Sequence, residues 1–193
     1  YCYGWIINAK DTLVDFSELS HQTEIRDSLD KILSEHCSQE RLKKYDADFK
    51  HDEDLLSLLS TNGFLGLGLN EKYGGSGEDL YDLGILFERL GYHAAPLSLS
   101  GCLADVAQTI QKFSNEESCN EILSSIIAGE IYTSAILEPS NQDPENPITA
   151  AEIENNQVVI TGTKYLSEIA SIAKRILISA SSNEGVLLVL VDK

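Results

Sequence analysis

The hydrophobic period of this chain changes once, near Gly129, and that switch constrains the fold more than any other feature. Before it, apolar residues recur at helical spacing. Ile25, Leu29, Ile32 and Leu33 share one face of EIRDSLDKIL. Leu55, Leu56, Leu58 and Leu59 crowd one side of a short helix over Asp52 to Ser60, with Gly63 placed as its C-terminal cap. Leu80, Leu83, Leu86, Phe87 and Leu90 predict a third helix from about Glu78, and Leu103, Val106 and Ile110 a fourth over Leu99 to Phe113. Ser114-Asn115-Glu116-Glu117 has the S-x-x-E form of a capping box and predicts a fifth, with Ile122, Leu123, Ile126 and Ile127 inward. After Gly129 the apolar runs are β-branched: IYTSAIL, QVVITG after the turn dipeptide Asn155-Asn156, RILISA and VLLVLV. The polar, proline-containing segment 140–147 reads as a loop. The fold class expected is therefore α+β: an all-helical N-terminal domain of about five helices, then an incomplete antiparallel β-barrel domain. The expected boundaries are an extension at 1–14, a helical domain at 15–129 and a β domain at 130–193. Four or five strands leave an exposed sheet edge, so the second domain reads as truncated.

Charge narrows the partners. The 193 residues carry 31 acidic against 14 basic side chains, a formal net charge of -17. Phosphate backbones and anionic membrane surfaces both need a basic face, so neither nucleic acid nor membrane is an expected partner. No apolar run approaches the roughly 18 residues of a membrane span, and the N-terminus has no basic flank of the signal-peptide kind. Cys2, Cys37, Cys102 and Cys119 are scattered without a C-x-x-C and read as reduced thiols, which suggests the cytoplasm. His21, His36, His51 and His93 have no metal-ligand spacing, so no metal site is expected. The chain contains no methionine, which suggests a processed chain or a fragment.

Six of the sixteen residues from Asn62 to Gly77 are glycine. A P-loop needs lysine and a hydroxyl after its last glycine, but Glu78 and Asp79 follow Gly77. A G-x-G-x-x-G fingerprint fails at Glu71, and acidic neighbours repel phosphate. The glycines read instead as conformational: Phe64, Leu65, Leu67 and Leu69 along a buried extended segment, then a sharp turn through Tyr73-Gly74-Gly75-Ser76-Gly77.

The string G-F-L-G-L-G-L-x-E-x-Y-G-G-S-G resembles the N-terminal helical domain of the acyl-CoA dehydrogenase family. The resemblance extends in order through 15–36, ERLGYHAAPLSLS, IIAGEIYTSAILEPS with its Glu138-Pro139, ITGTKYL and GVLLVLVD. It implies a helical first domain, a middle β domain and a further helical domain carrying most tetramer contacts. The implied reaction is α,β-dehydrogenation of an acyl-CoA thioester, with a glutamate base, hydride transfer to FAD, and a protein electron acceptor. It belongs to fatty acid and lipid metabolism.

By this resemblance the flavin neighbours are Ile136 and Leu137 before Glu138-Pro139, and Leu166 and Ser167 after G-T-K. The family's L-T-E-P reads Ile136-Leu137-Glu138-Pro139 here, and its W-I-T-N reads Tyr165-Leu166-Ser167-Glu168. A hydroxyl and an aromatic ring are thus replaced, and an anion stands where a hydroxyl is expected. The A-G-S-D turn is also absent from 140–144. The catalytic glutamate belongs to the further domain, so no catalytic residue is expected in this chain, and Glu138 reads as a structural turn residue. Lys164, Lys174 and Arg175 are the basic cluster available to CoA phosphates. Two functions follow as expectations. One is an FAD-dependent acyl-CoA dehydrogenase completed by another domain. The other is a non-catalytic family subunit or acyl-binding partner in a mixed complex. Either is expected to oligomerise.

Overall fold

The computed structural model describes residues 17–48, 50–77, 79–141, 143–154 and 157–193. The expected extension at 1–14, Cys2 and the Asn155-Asn156 turn lie outside them. Six helices come first: α1 Ser20–His36, α2 Gln39–Asp48, α3 Glu53–Thr61, α4 Leu80–Tyr92, α5 Gln108–Phe113 and α6 Glu116–Ile127. A π-helical segment, Ser100–Ala107, runs directly into α5, so the expected fourth helix is present with a wider first half.

α2 was not anticipated from the sequence. QERLKKYDAD is polar nearly all round and lacks an apolar stripe. A tertiary contact holds it instead. Arg41 donates Nε and Nη2 to the two carboxylate oxygens of Asp52 at 2.7 Å each. Asp52 is itself buried, and its Oδ1 caps α3 by accepting from the Leu55 N–H. α1 and α4 pack side by side in the same direction, with Arg89 bridging to Asp30 and Arg26 to Glu88.

The glycine-rich stretch is a pair of 3-10 turns, Phe64–Gly66 and Glu71–Tyr73, rather than an extended segment. Turns bury Phe64, Leu65, Leu67 and Leu69 together, which an alternating strand cannot do. Gly75 explains the glycine here: a Cβ on it would lie 2.0 Å from the Leu69 carbonyl oxygen. The cap of α6 is Asn115, whose side chain accepts from the Ser118 N–H at 2.8 Å. Ser114 closes α5 instead of opening α6, so the expected S-x-x-E capping box does not form and a single Asn115 cap, one residue later, takes its place. Gly129 ends the helical half at φ +97°, as its position suggested.

Five strands follow: β1 Tyr132–Ala135, β2 Ala150–Glu154, β3 Gln157–Thr161, β4 Arg175–Ser182 and β5 Gly185–Asp192. The sheet is open, as expected, but mixed rather than purely antiparallel. β4 pairs with β1 and β2 in parallel and with β5 antiparallel, while β2 and β3 form an antiparallel pair. The chain leaves the sheet after β1, inserts β2 and β3, and re-enters as β4 in the same direction. β4 is central, and Leu177, Ile178, Ser179 and Ala180 are buried consecutively. β2, β3 and β5 leave Ile153, Val158, Val159, Val186 and Leu188 exposed.

One core joins the halves. Tyr132 and Leu177 of the sheet pack into the helical cluster around Leu86, Leu103 and Leu123. Cys102 sits at this junction, where its sulfur accepts from the Tyr132 N–H at 3.5 Å and burial pushes the thiol up to about 11. The described cysteines, Cys37, Cys102 and Cys119, are free thiols.

Candidate functional site

β1 delivers Ile136 and Leu137 to the edge of the helical half, and Glu138 fixes their position. Glu138 is 4% exposed, and its carboxylate is saturated. Oε1 accepts from Thr149 N (2.7 Å), Thr149 Oγ1 (2.6 Å) and Lys164 Nζ (2.9 Å). Oε2 accepts from Ile148 N (2.7 Å) and Asn141 Nδ2 (3.1 Å). Lys164 also reaches the Ile136 carbonyl (3.3 Å) and Ser179 Oγ (3.1 Å). The Thr149 hydroxyl first, then Lys164 and two backbone N–H groups, outweigh burial and hold the Glu138 carboxyl far below its usual range. A carboxylate so engaged cannot take a proton from a substrate carbon near neutral pH. It clasps the exit of β1 to the start of β2, to the segment after β3 and to β4.

Beside this clasp lies a small cleft of about 190 Å³ lined by Asp105, Ser134, Ile136, Leu137, Tyr165, Leu166 and Glu168. It brings together three of the four residues expected at the cofactor. Leu137 (44% exposed) and Leu166 (75% exposed) form an apolar lip. The Tyr165 N–H donates to the Leu137 carbonyl at 3.1 Å and ties the lip together. Ser167 stands behind it. Its hydroxyl donates to the Ser134 carbonyl at 2.8 Å and is engaged with backbone. Leu166 has φ +55° and Ile169 φ +42°, a left-handed conformation that non-glycine residues adopt at a cost.

Glu168 closes the other end. Its carboxylate accepts from Ser98 Oγ (2.7 Å), Ser100 Oγ (2.7 Å) and Gly101 N (3.2 Å), at the start of the π-helical segment. Burial alone would raise its pKa; the Ser100 and Ser98 hydroxyls and the Gly101 N–H reverse this and lower it. Asp105 is the second carboxylate on the cleft, and it accepts a short hydrogen bond from the Ser134 hydroxyl. Sequence reasoning did not find Asp105 or Ser134. Asp105 falls inside an apolar helical run, and Ser134 on a strand, with nothing local to mark either.

The basic cluster is paired throughout. Besides the Lys164 contact with Glu138, Lys174 faces Glu130 at 3.3 Å, and Arg175 binds Asp192 at 2.7 Å and Glu121 at 3.1 Å. The apolar lip suits the edge of a flat aromatic ring, while the Ile136 and Leu137 carbonyls are already engaged by Lys164 and by the Tyr165 N–H. The described residues of the cleft offer no cation for a pyrophosphate.

Relatives extend these observations. The chain is 28% identical over 139 residues to the acyl-CoA dehydrogenase FadE12 of Mycobacterium tuberculosis, covering 70% of this chain and 36% of that protein. Among solved structures, a variant of the Tcur3481-Tcur3483 steroid ACAD matches with TM-score 0.83 and 29% identity, over 89% of this chain and 48% of its own. The ChsE4-ChsE5 complex from Mycobacterium tuberculosis matches with TM-score 0.84 and 20% identity, over 92% of this chain and 48% of its own. The chain thus spans about a third of its curated relative and about half of these solved chains. Among the described residues, no helix is long and apolar enough to cross a membrane. Residues 20–130 match the family described as acyl-CoA dehydrogenase, N-terminal domain, and the chain belongs to the acyl-CoA dehydrogenase family.

Proposed function

We propose that this chain supplies the helical wall and one sheet wall of an acyl-CoA dehydrogenase site, acting in α,β-dehydrogenation of an acyl-CoA thioester. The observation that carries this reading is the clasp. Glu138 and Lys164 hold Ile136 and Leu137 beside Leu166, so that two leucines stand exposed at the junction of the halves. Ile136, Leu137, Leu166 and Ser167 would hold the ring edge of FAD. That group accepts a hydride from the substrate β-carbon when bound. The chain's own work is to orient the ring edge and keep water from it through the apolar lip. The glutamate base lies in a further helical domain under this reading. Residues 15–129 form the acyl-facing helical domain and 130–193 part of the middle β domain. An acyl-CoA substrate, a protein electron acceptor and a cytoplasmic setting belong to the same reading.

A second reading has its own support. Asp105 and Glu168 put two carboxylates on the cleft, and Ser167 has spent its hydroxyl on backbone. Anions disfavour a reduced flavin, which carries negative charge itself. Here the chain is a family subunit without flavin, paired in a mixed complex with a competent partner; one solved relative is itself described as a complex of two components, ChsE4 and ChsE5. The exposed strand residues Val158, Val159 and Leu188 supply an apolar surface for such an assembly.

Visible absorbance decides between them. The protein is purified without added cofactor, incubated with FAD and passed through a desalting column. Flavin bands that remain with the protein, and bleach on adding an acyl-CoA, support the dehydrogenase reading. A folded sample that includes the further helical domain and retains no flavin sinks it in favour of the mixed complex.

A further inference from the structure

Away from the cleft, the starts of α1 and α4 bring three possible metal ligands together. His21 lies in the first turn of α1, Asp79 caps α4 and Asp82 lies in the first turn of α4. One ligand atom from each falls within 4.8 Å of the others. The histidine and the aspartates are far apart in sequence, so ligand spacing could not reveal them.

Asp82 distinguishes this group from an ordinary surface cluster. Its side chain is 10% exposed, and its Oδ1 is buried without a hydrogen-bond donor. That oxygen faces His21 Nε2 at 3.3 Å. His21 compensates that buried oxygen only as a protonated ion-pair partner; with a neutral ring the oxygen lacks a donor, which is costly and is offset by a bound cation. Asp79 has one oxygen to spare: Oδ1 accepts from the Tyr81 N–H at 2.8 Å, while Oδ2 meets only the long 3.4 Å contact from Gln22 Nε2 among the described residues.

We propose that His21, Asp79 and Asp82 form a binding site for a divalent transition-metal ion of the zinc type. One imidazole nitrogen and two carboxylate oxygens are a donor set suited to zinc. Two carboxylates balance the charge of a divalent ion. Around a tetrahedral ion with bonds of about 2.0–2.2 Å, neighbouring ligand atoms lie about 3.3–3.6 Å apart, and the 3.3 Å between His21 and Asp82 falls at the short end of that range. His21 is half exposed, so the ion enters from solvent and keeps water in the remaining position. The ion ties the first turn of α1 to the first turn of α4.

Zinc chloride alone is titrated into the full chain by calorimetry, with the bound metal counted after dialysis. One equivalent is expected, together with a raised melting temperature. His21→Ala is expected to weaken binding at least about 100-fold, beyond the 10–100-fold typical of losing a group behind the ligands. Asp82→Asn, nearly isosteric, should do the same, and Asp79→Asn, which keeps a carbonyl oxygen but loses the charge, should weaken binding more than about tenfold. His51→Ala, on another face, should leave affinity unchanged. His21 is half exposed, so its variant carries the test even if Asp82→Asn fails to fold. The proposal is overturned if no saturable equivalent binds, which leaves a simple His21–Asp82 pair, or if His21→Ala binds zinc with parental affinity.

Discussion

The clasp under the cleft and the lip beside it are built from opposite materials. Glu138 and Lys164 are buried, and both Glu138 oxygens are matched by donors. Leu137 and Leu166 are exposed, Leu166 sits at positive φ, and Glu168 brings a charge to the edge. The clasp is a matter of stability: it ties the exit of β1 to β2, to β4 and to the segment after β3. Under the proposed function the lip is the part that would meet the flavin. The frame of the site and its face can therefore be perturbed separately.

The sharpest way to break this contrast is Lys164→Met. It strips the buried Glu138 carboxylate of its cation, and breaking a buried pair is strongly destabilising, so the melting temperature is expected to fall on the order of 10 °C. Replacing both partners with Glu138→Leu and Lys164→Met should recover much of that loss. A Lys164→Met protein that melts like the parent would mean the clasp is ornamental.

The lip should respond in function more than in stability. Asp105→Asn with Glu168→Gln removes both carboxylate charges from the cleft. It is expected to raise FAD retention about tenfold, the scale of a single screened charge contact, read from bound flavin absorbance. Unchanged retention would show that the charges are not what limits flavin. Leu166→Gly relieves the left-handed backbone at a residue that buries little. Denaturant titration should show a gain of about 1 kcal/mol, the strain released less glycine's own entropy.

The smallest effect is in acid. The folded pKa of Glu168 is lowered, so its contribution is fully present above the unfolded value, about 4.3, and is lost as pH falls through the folded value. Below that unfolded value, the stability of Glu168→Gln should decline less steeply than that of the parent. A parallel decline would mean that the Ser98, Ser100 and Gly101 contacts add nothing.

What the sequence disclosed depended on how local the cause was. The faces of α1 and α4 were legible because Leu29, Leu33, Leu83, Leu86 and Leu90 repeat along a single helix. α2 was hidden because Arg41 reaching Asp52 holds it, not an apolar stripe. β2, AAEIE, lacks bulk on a short segment and takes its place from pairing with β3. The parallel pairing of β1 with β4 depends on residues widely separated in the chain, so an antiparallel sheet was the natural reading. Glu138 was legible as a turn residue from its Pro139 neighbour, but Thr149 and Lys164 as its donors were not. Likewise His21 gains its carboxylate neighbours only from the packing of α1 against α4.

The burial of Cys102 has a practical consequence. Its sulfur lies under the Tyr132 N–H where the helices meet the sheet, and a thiol held near 11 is mostly protonated in neutral buffer. An alkylating reagent therefore finds it inert while the two halves stay docked, and reactive once they part. The native chain carries its own clock for that separation, read as the rate at which one particular thiol gains mass.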